Sequence, residues 1–175
     1  MTDPMRPGDF LLGRADGFLH VVLRIGQGLR LGRKHRHYAH YTHAALVTSA
    51  SGDLIEAVGD GVRRSHLSCY TAKRSPYRIV HITATDEDRR QVVAFAEATL
   101  SRRAPYAFLA NVSTALWAFT GSSLVFFVDG SYTCSGLVAE ALERTSARFA
   151  TNSARVMPAQ LAIWFDAPPP DPLRH

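Results

Sequence analysis

Cysteine is scarce in this chain. Its 175 residues contain two, Cys69 and Cys134, too few for the disulfide frameworks that hold small secreted domains together. Charge is missing from one long stretch, since no Asp, Glu, Lys or Arg occurs from Tyr106 to Val128. That run has the length of a membrane span. Asn111, Ser113, Thr114, Thr120, Gly121, Ser122 and Ser123 interrupt it, so a buried helix with its connection is the expectation, or an apolar surface able to hold an acyl chain. The opening residues, Met1 to Pro7, lack the apolar core of a secretory signal, which makes a cytoplasmic chain the expectation. There is no internal repeat, and no nucleic-acid motif to suggest such a partner.

A hydrophobic content of 46% against 20% charged residues fits a folded globular chain. Residues 1–166 read as one domain. The stretch Ala167-Pro168-Pro169-Pro170-Asp171-Pro172 cannot join a sheet, so 167–175 reads as a tail. The net charge is +5, and much of the excess lies between Arg24 and Arg36. A basic patch attracts anionic substrates or lipid head groups, and a peripheral lipid contact is one expectation. A solvated loop is the other.

Pro7-Gly8-Asp9 reads as a turn into a strand at Phe10-Leu11-Leu12. Asp16 opens a helical pattern with Phe18, Leu19, Val21, Val22, Ile25 and Leu29 spaced for one face. A histidine-rich basic loop, Arg33 to His40, follows. Strands are expected at Tyr41–Val47, Asp53–Val58, Val62–Ser65 and Tyr77–Ile82. Cys69 and Tyr70 fall in a loop between the last two. Thr85 caps a helix with acids in its first turn, running to about Ser101. A short last helix is expected at Met157–Leu161.

Cys134, Leu137, Val138, Ala141 and Leu142 follow i, i+3, i+4, i+7, i+8 spacing, so the cysteine opens an apolar helix. Asp129-Gly130-Ser131 just ahead supplies turn and cap residues. A thiol in a first helical turn meets the positive end of the dipole and free N–H groups, which favour the thiolate. The competing reading is a small buried hydrophobe.

A cysteine nucleophile needs an imidazole to move its proton and a third group to fix the imidazole tautomer. His43 sits in one strand and Glu56 in the next, between Leu54 and Val58. An acid flanked by aliphatics on one strand face risks burial without a partner. If Thr48 pairs with Asp53 across the turn, Glu56 faces Ala45 and His43 is its diagonal neighbour on the same face, about 7–8 Å away. A slip of one residue separates them. A rival grouping of His35, His37, His40 and His43, completed by Cys134 or Glu56, would make a zinc site, but its spacing matches no standard metal motif.

The order Gly8-Asp9-Phe10-Leu11-Leu12, Tyr41-Thr42-His43-Ala44-Ala45-Leu46-Val47, Leu54-Ile55-Glu56-Ala57 with Gly61-Val62-Arg63, then Tyr132-Thr133-Cys134-Ser135-Gly136-Leu137-Val138 resembles the circularly permuted NlpC/P60 papain-like enzymes. This is the YiiX/YebB-like group, related to lecithin:retinol acyltransferase. The resemblance runs from about Pro7 to Leu161. It implies an α+β fold, a small antiparallel sheet or barrel packed against helices. It also implies Cys134 as nucleophile, His43 as base and Glu56 as the third residue. Pro105-Tyr106-Ala107 stands where the family often has Tyr-Asp, and Ser135-Gly136 where it often has Ser-Glu. These departures spare the triad and leave the substrate open.

The expected function is a thiol hydrolase or acyltransferase, cleaving an amide or ester through a cysteine acyl-enzyme. The backbone N–H of Cys134 is the expected oxyanion donor, with Tyr41 or Tyr132 as candidate assistants, and no metal or organic cofactor is required. The substrate is a small molecule, a peptide or an acyl lipid. The alternatives are a non-catalytic binding module on the same fold and a zinc-dependent hydrolase.

Overall fold

The computed structural model describes residues 4–14, 18–73, 75–102, 132–145, 153 and 156–170. The uncharged run Tyr106–Val128, the proposed cap residues Asp129-Gly130-Ser131 and the helix opening at Asp16 lie outside them.

Short aliphatic segments, joined by tight turns in the middle of the sheet and by helices elsewhere, fold into one five-stranded sheet. The strands are β1 (Phe10–Gly13), β2 (His43–Val47), β3 (Asp53–Val58), β4 (Gly61–His66) and β5 (Tyr77–Val80). Their order is β4-β3-β2-β1-β5, and every neighbouring pair is antiparallel. Helices intervene and follow: α1 (Phe18–Arg30), a 3-10 helix (Arg33–His40), α2 (Ser68–Ala72), α3 (Asp86–Ser101), α4 (Cys134–Leu142) and α5 (Pro158–Trp164). The architecture is α+β.

The hairpin of β2 and β3 has the expected register. Leu46 opposes Ile55 and Val47 opposes Leu54, and the Thr48 N–H bonds to the Asp53 carbonyl at 2.8 Å. Carried one residue further, the same offset would set Glu56 against Ala45. Strand alternation then sorts the side chains. Phe10, Leu12, Ala44, Leu46, Ile55, Ala57 and Val62 face the main core with Leu137, Val138, Ala141 and Leu142 of α4. Leu11, Ala45, Val47 and Leu54 face a smaller cluster that includes Leu67, Tyr70 and Tyr77. By parity His43, Glu56 and Arg63 share this second face.

α3 is built as its sequence predicts. Thr85 Oγ1 accepts from the Asp88 N–H, and the Asp88 carboxylate accepts from the Thr85 N–H, a reciprocal cap. Val92 and Ala96 are fully buried.

Three expectations change. The histidine-rich stretch is a 3-10 helix rather than a loop, with Tyr38 and Ala39 turned inward. Cys69 and Tyr70 lie on α2 rather than in a loop. On α1, Val21, Ile25 and Leu29 of the expected face are exposed, while the side chains of Phe18, Leu19 and Val22 lie outside the described residues. The inward side of that helix is instead Leu23, Gly26 and Gln27. Gln27 explains the rotation. Its amide donates to the Tyr41 carbonyl at 3.0 Å and accepts from the Ala159 N–H at 3.0 Å. A buried amide must be paired, and that requirement turns the aliphatic row outward.

Candidate active site

Thr133 ends the extended chain ahead of α4, and its hydroxyl oxygen accepts from the Gly136 N–H at 3.0 Å. This N-cap leaves Cys134 as the first helical residue, whose N–H has no acceptor within its own helix. The Ser135 hydroxyl donates to the Val156 carbonyl, which ties the start of α4 to the segment entering α5.

Cys134 meets β2 at its starting end. Its sulfur is hydrogen-bonded to the His43 imidazole and accepts from the backbone N–H groups of Ala44 and Ser135. On the far side of the ring, His43 Nε2 lies 2.8 Å from Glu56 Oε2. With Nε2 engaged by the carboxylate, Nδ1 is the nitrogen left for the sulfur. Serine-type triads use the ring the other way round, with Nε2 toward the nucleophile. Cys134, His43 and Glu56 are all buried.

Glu56 is held from further directions. Arg63 sits opposite it on β4 and donates Nε and Nη2 to Oε1 at 3.0 and 2.9 Å. The Tyr70 hydroxyl donates to Oε2 at 2.8 Å. The Tyr70 ring stacks near-parallel to His43 with centroids 6.5 Å apart. Gly13, paired with His43 across β1 and β2, permits this. A Cβ there would come within 3.3 Å of the Tyr70 ring.

These contacts set the charges. Burial pushes the Cys134 thiol up, but the His43 ring and two N–H donors outweigh it and hold the thiol below its ordinary value. Burial also opposes a charged His43, yet the bonds to Cys134 and Glu56 hold the imidazole up at about 10. Burial opposes the Glu56 carboxylate too, and His43, Tyr70 and Arg63 hold it down at about 2. Burial and then the Glu56 charge raise the Tyr70 hydroxyl, so it stays a donor. These contacts favour a thiolate beside an imidazolium, backed by a carboxylate, which is the charge order of a reactive cysteine.

No family model matches the chain, and no curated protein matches its sequence.

The three residues singled out from the sequence come together; the two candidate tyrosines engage elsewhere. The Tyr41 hydroxyl donates to the Pro168 carbonyl at 3.0 Å. The Tyr132 hydroxyl is hydrogen-bonded to Thr99 and Glu140, and its ring packs edge-on against Phe95. Tyr70 and Arg63 were not anticipated. Arg63 was readable, because the turn at Gly59-Asp60 pairs Val58 with Gly61 and so Glu56 with Arg63. Tyr70 left no such signal, since a five-residue helix carries no periodicity.

Among the described residues, no group of three or more His, Cys, Asp or Glu side chains is placed to hold a metal ion. The His35 and His37 rings lie against Tyr38 instead. Among the described residues no helix is long and apolar enough to cross a membrane.

Proposed function

We propose that the protein is a thiol hydrolase or acyltransferase of permuted papain-like (NlpC/P60) type, in which Cys134, His43 and Glu56 act as a triad. One observation carries this reading: a buried thiol in hydrogen-bond contact with an imidazole whose other nitrogen is fixed by a buried carboxylate. A thiol serving only as packing has no use for an imidazolium partner. An isolated buried carboxylate and imidazole also carry a desolvation cost that a plain core avoids.

The chemistry follows from the geometry. The Cys134 thiolate attacks the carbonyl carbon of an amide or ester, and a tetrahedral oxyanion forms. The Cys134 N–H at the head of α4 is the donor best placed to stabilise it. As the C–N or C–O bond breaks, the His43 imidazolium gives its Nδ1 proton to the leaving amine or alcohol. A thioester remains on Cys134. Water, or an acceptor amine or alcohol, then loses its proton to His43 and attacks the thioester, releasing the acyl product and restoring the thiolate. Glu56 keeps the Nε2–H in place throughout. Arg63 and Tyr70 act through Glu56 and are positioning residues.

Alkylation by iodoacetamide, read by peptide mass spectrometry, tests the reading. Cys69, exposed on α2, is the internal reference thiol. Cys134 is expected to be alkylated faster than Cys69 at pH 6, and the difference to vanish in His43→Ala. Labelling of Cys134 no faster than Cys69 across the pH range would favour a binding module over an enzyme. Peptide, acyl-amide and ester panels then separate the substrate classes.

A further inference from the structure

The outward row on α1 is unusual for a surface helix. Val21, Ile25 and Leu29 are 43%, 48% and 62% exposed, and their spacing of four aligns them along one side. Leu23 and Gln27 occupy the opposite side and are buried, so the row is not the inward face of the helix. Cations border it. Arg24 and Arg30 are exposed on α1 itself, and Arg33, Lys34 and Arg36 on the 3-10 helix that follows. Arg36 Nε donates to the Gly28 carbonyl at 3.0 Å, which fixes that helix against the end of α1. No Asp or Glu occurs from Gly17 to Gly52. Asp166 is reached by the inward-turned Tyr38 of the 3-10 helix at 3.3 Å.

We propose that the outer side of α1, with the basic 3-10 helix, is a docking surface for an anionic lipid bilayer. Polyphosphate backbones reward the cations but give aliphatic side chains no partner. The head-group boundary of a bilayer accepts both: apolar side chains enter beside the acyl chains, while Arg and Lys meet anionic head groups. The surface is mechanically joined to the candidate active site. β1 ends at Gly13, opposite His43, and Gln27 ties α1 to Tyr41, two residues before His43. A docked bilayer therefore lies across α1 from the segment that carries His43.

Co-sedimentation of the full chain with vesicles tests this. Binding is expected to phosphatidylcholine vesicles containing phosphatidylserine, to be weak on phosphatidylcholine alone, and to fall with added salt. The double variant Ile25→Ser, Leu29→Ser is expected to lower partitioning at least about tenfold. Arg33→Glu with Lys34→Glu is expected to lower it at least about fivefold for each cation lost. Equal binding to both vesicle types would overturn the proposal, and so would full binding by the serine variant. A dimer in sedimentation velocity that the serine variant dissolves would assign the row to self-association instead, and duplex DNA binding unaffected by the serine changes would assign the cations to nucleic acid. The serine positions are exposed, so the variant is expected to keep the wild-type rate of Cys134 alkylation. That rate reports the catalytic reading separately, and either idea can fail without the other.

Discussion

Two buried carboxylates in this fold have the same neighbours and different consequences. Glu56 lies 2.8 Å from His43 and 2.9 Å from Arg63. Asp9, just ahead of β1, lies 2.8 Å from His81 and 2.8 Å from Arg89. The burial of the two partners is inverted. The Arg63 side chain is 58% exposed and that of Arg89 is 7% exposed, while His43 is buried and His81 is on the surface. Asp9 also accepts from the Arg6 and Ile82 N–H groups, and Arg89 donates to the Pro7 and Ile82 carbonyls. That cluster stitches the entry of β1 and the end of β5 to α3. In the Glu56 cluster the enclosed cation is the titratable imidazole, and a thiol touches it. Acid, histidine and arginine are thus not in themselves a signature of chemistry. What sets the two clusters apart is which of the two partners is enclosed and whether a thiol adjoins it.

Removing each histidine gives the largest contrast. His43→Ala is expected to slow Cys134 alkylation at pH 6 by at least about tenfold, because the sulfur loses the imidazolium that favours its thiolate. His81→Ala is expected to leave it unchanged. An equal loss in both variants would mean that the two clusters are one functional unit.

Removing each arginine reverses the ranking, with stability as the readout. Arg89→Ala leaves Asp9 buried with its main partner gone, and urea denaturation is expected to show a loss of about 3–5 kcal/mol. Arg63 is exposed, and its pair with Glu56 is screened by solvent, so Arg63→Ala is expected to cost no more than about 1 kcal/mol.

The pH dependence sharpens the comparison further. The folded protein holds His43 at about 10 against an ordinary 6.5. Its stabilisation is therefore complete below 6.5 and lost as pH rises through 10. Glu56 is held at about 2 against an ordinary 4.5, so its stabilisation is complete above 4.5 and lost as pH falls through 2. The difference in melting temperature between wild type and Glu56→Gln is expected to be widest between pH 4.5 and 6.5 and to narrow on both sides. A gap that stays flat from acid to base would separate Glu56 from the charge of His43.

The smallest effect concerns Tyr70. Tyr70→Phe removes one hydrogen bond to a carboxylate and keeps the ring over His43. A loss of about 1.5–3 kcal/mol is the upper range for such a bond, and a slowing of Cys134 alkylation by about fivefold or less is expected because Arg63 still holds Glu56. A slowing as large as that of His43→Ala would make Tyr70 a participant in the chemistry rather than a support.

How much of this was legible before the structure depends on the range of the forces involved. The pairing of His43 with Glu56 was readable because a four-residue turn fixes register and register fixes face. The helix opening at Cys134 was readable from its apolar spacing, although the residue that caps it is Thr133, nearer than the Asp129-Gly130-Ser131 stretch that drew attention. Tyr70 was hidden because its position depends on a space left by Gly13, far away in sequence. The rotation of α1 was hidden for a similar reason. Its aliphatic spacing predicts a buried row, and one amide, Gln27, with partners on two other segments, decides otherwise.

The linear order of the site has a consequence for biosynthesis. His43, Glu56, Arg63 and Tyr70 all precede position 71, and Cys134 comes much later. On a ribosome the imidazole and its carboxylate emerge first and are without the sulfur while the rest of the chain is made. Cys134 acquires its lowered pKa only when α4 docks onto the sheet, so a nascent or truncated polypeptide carries no activated thiol to react astray.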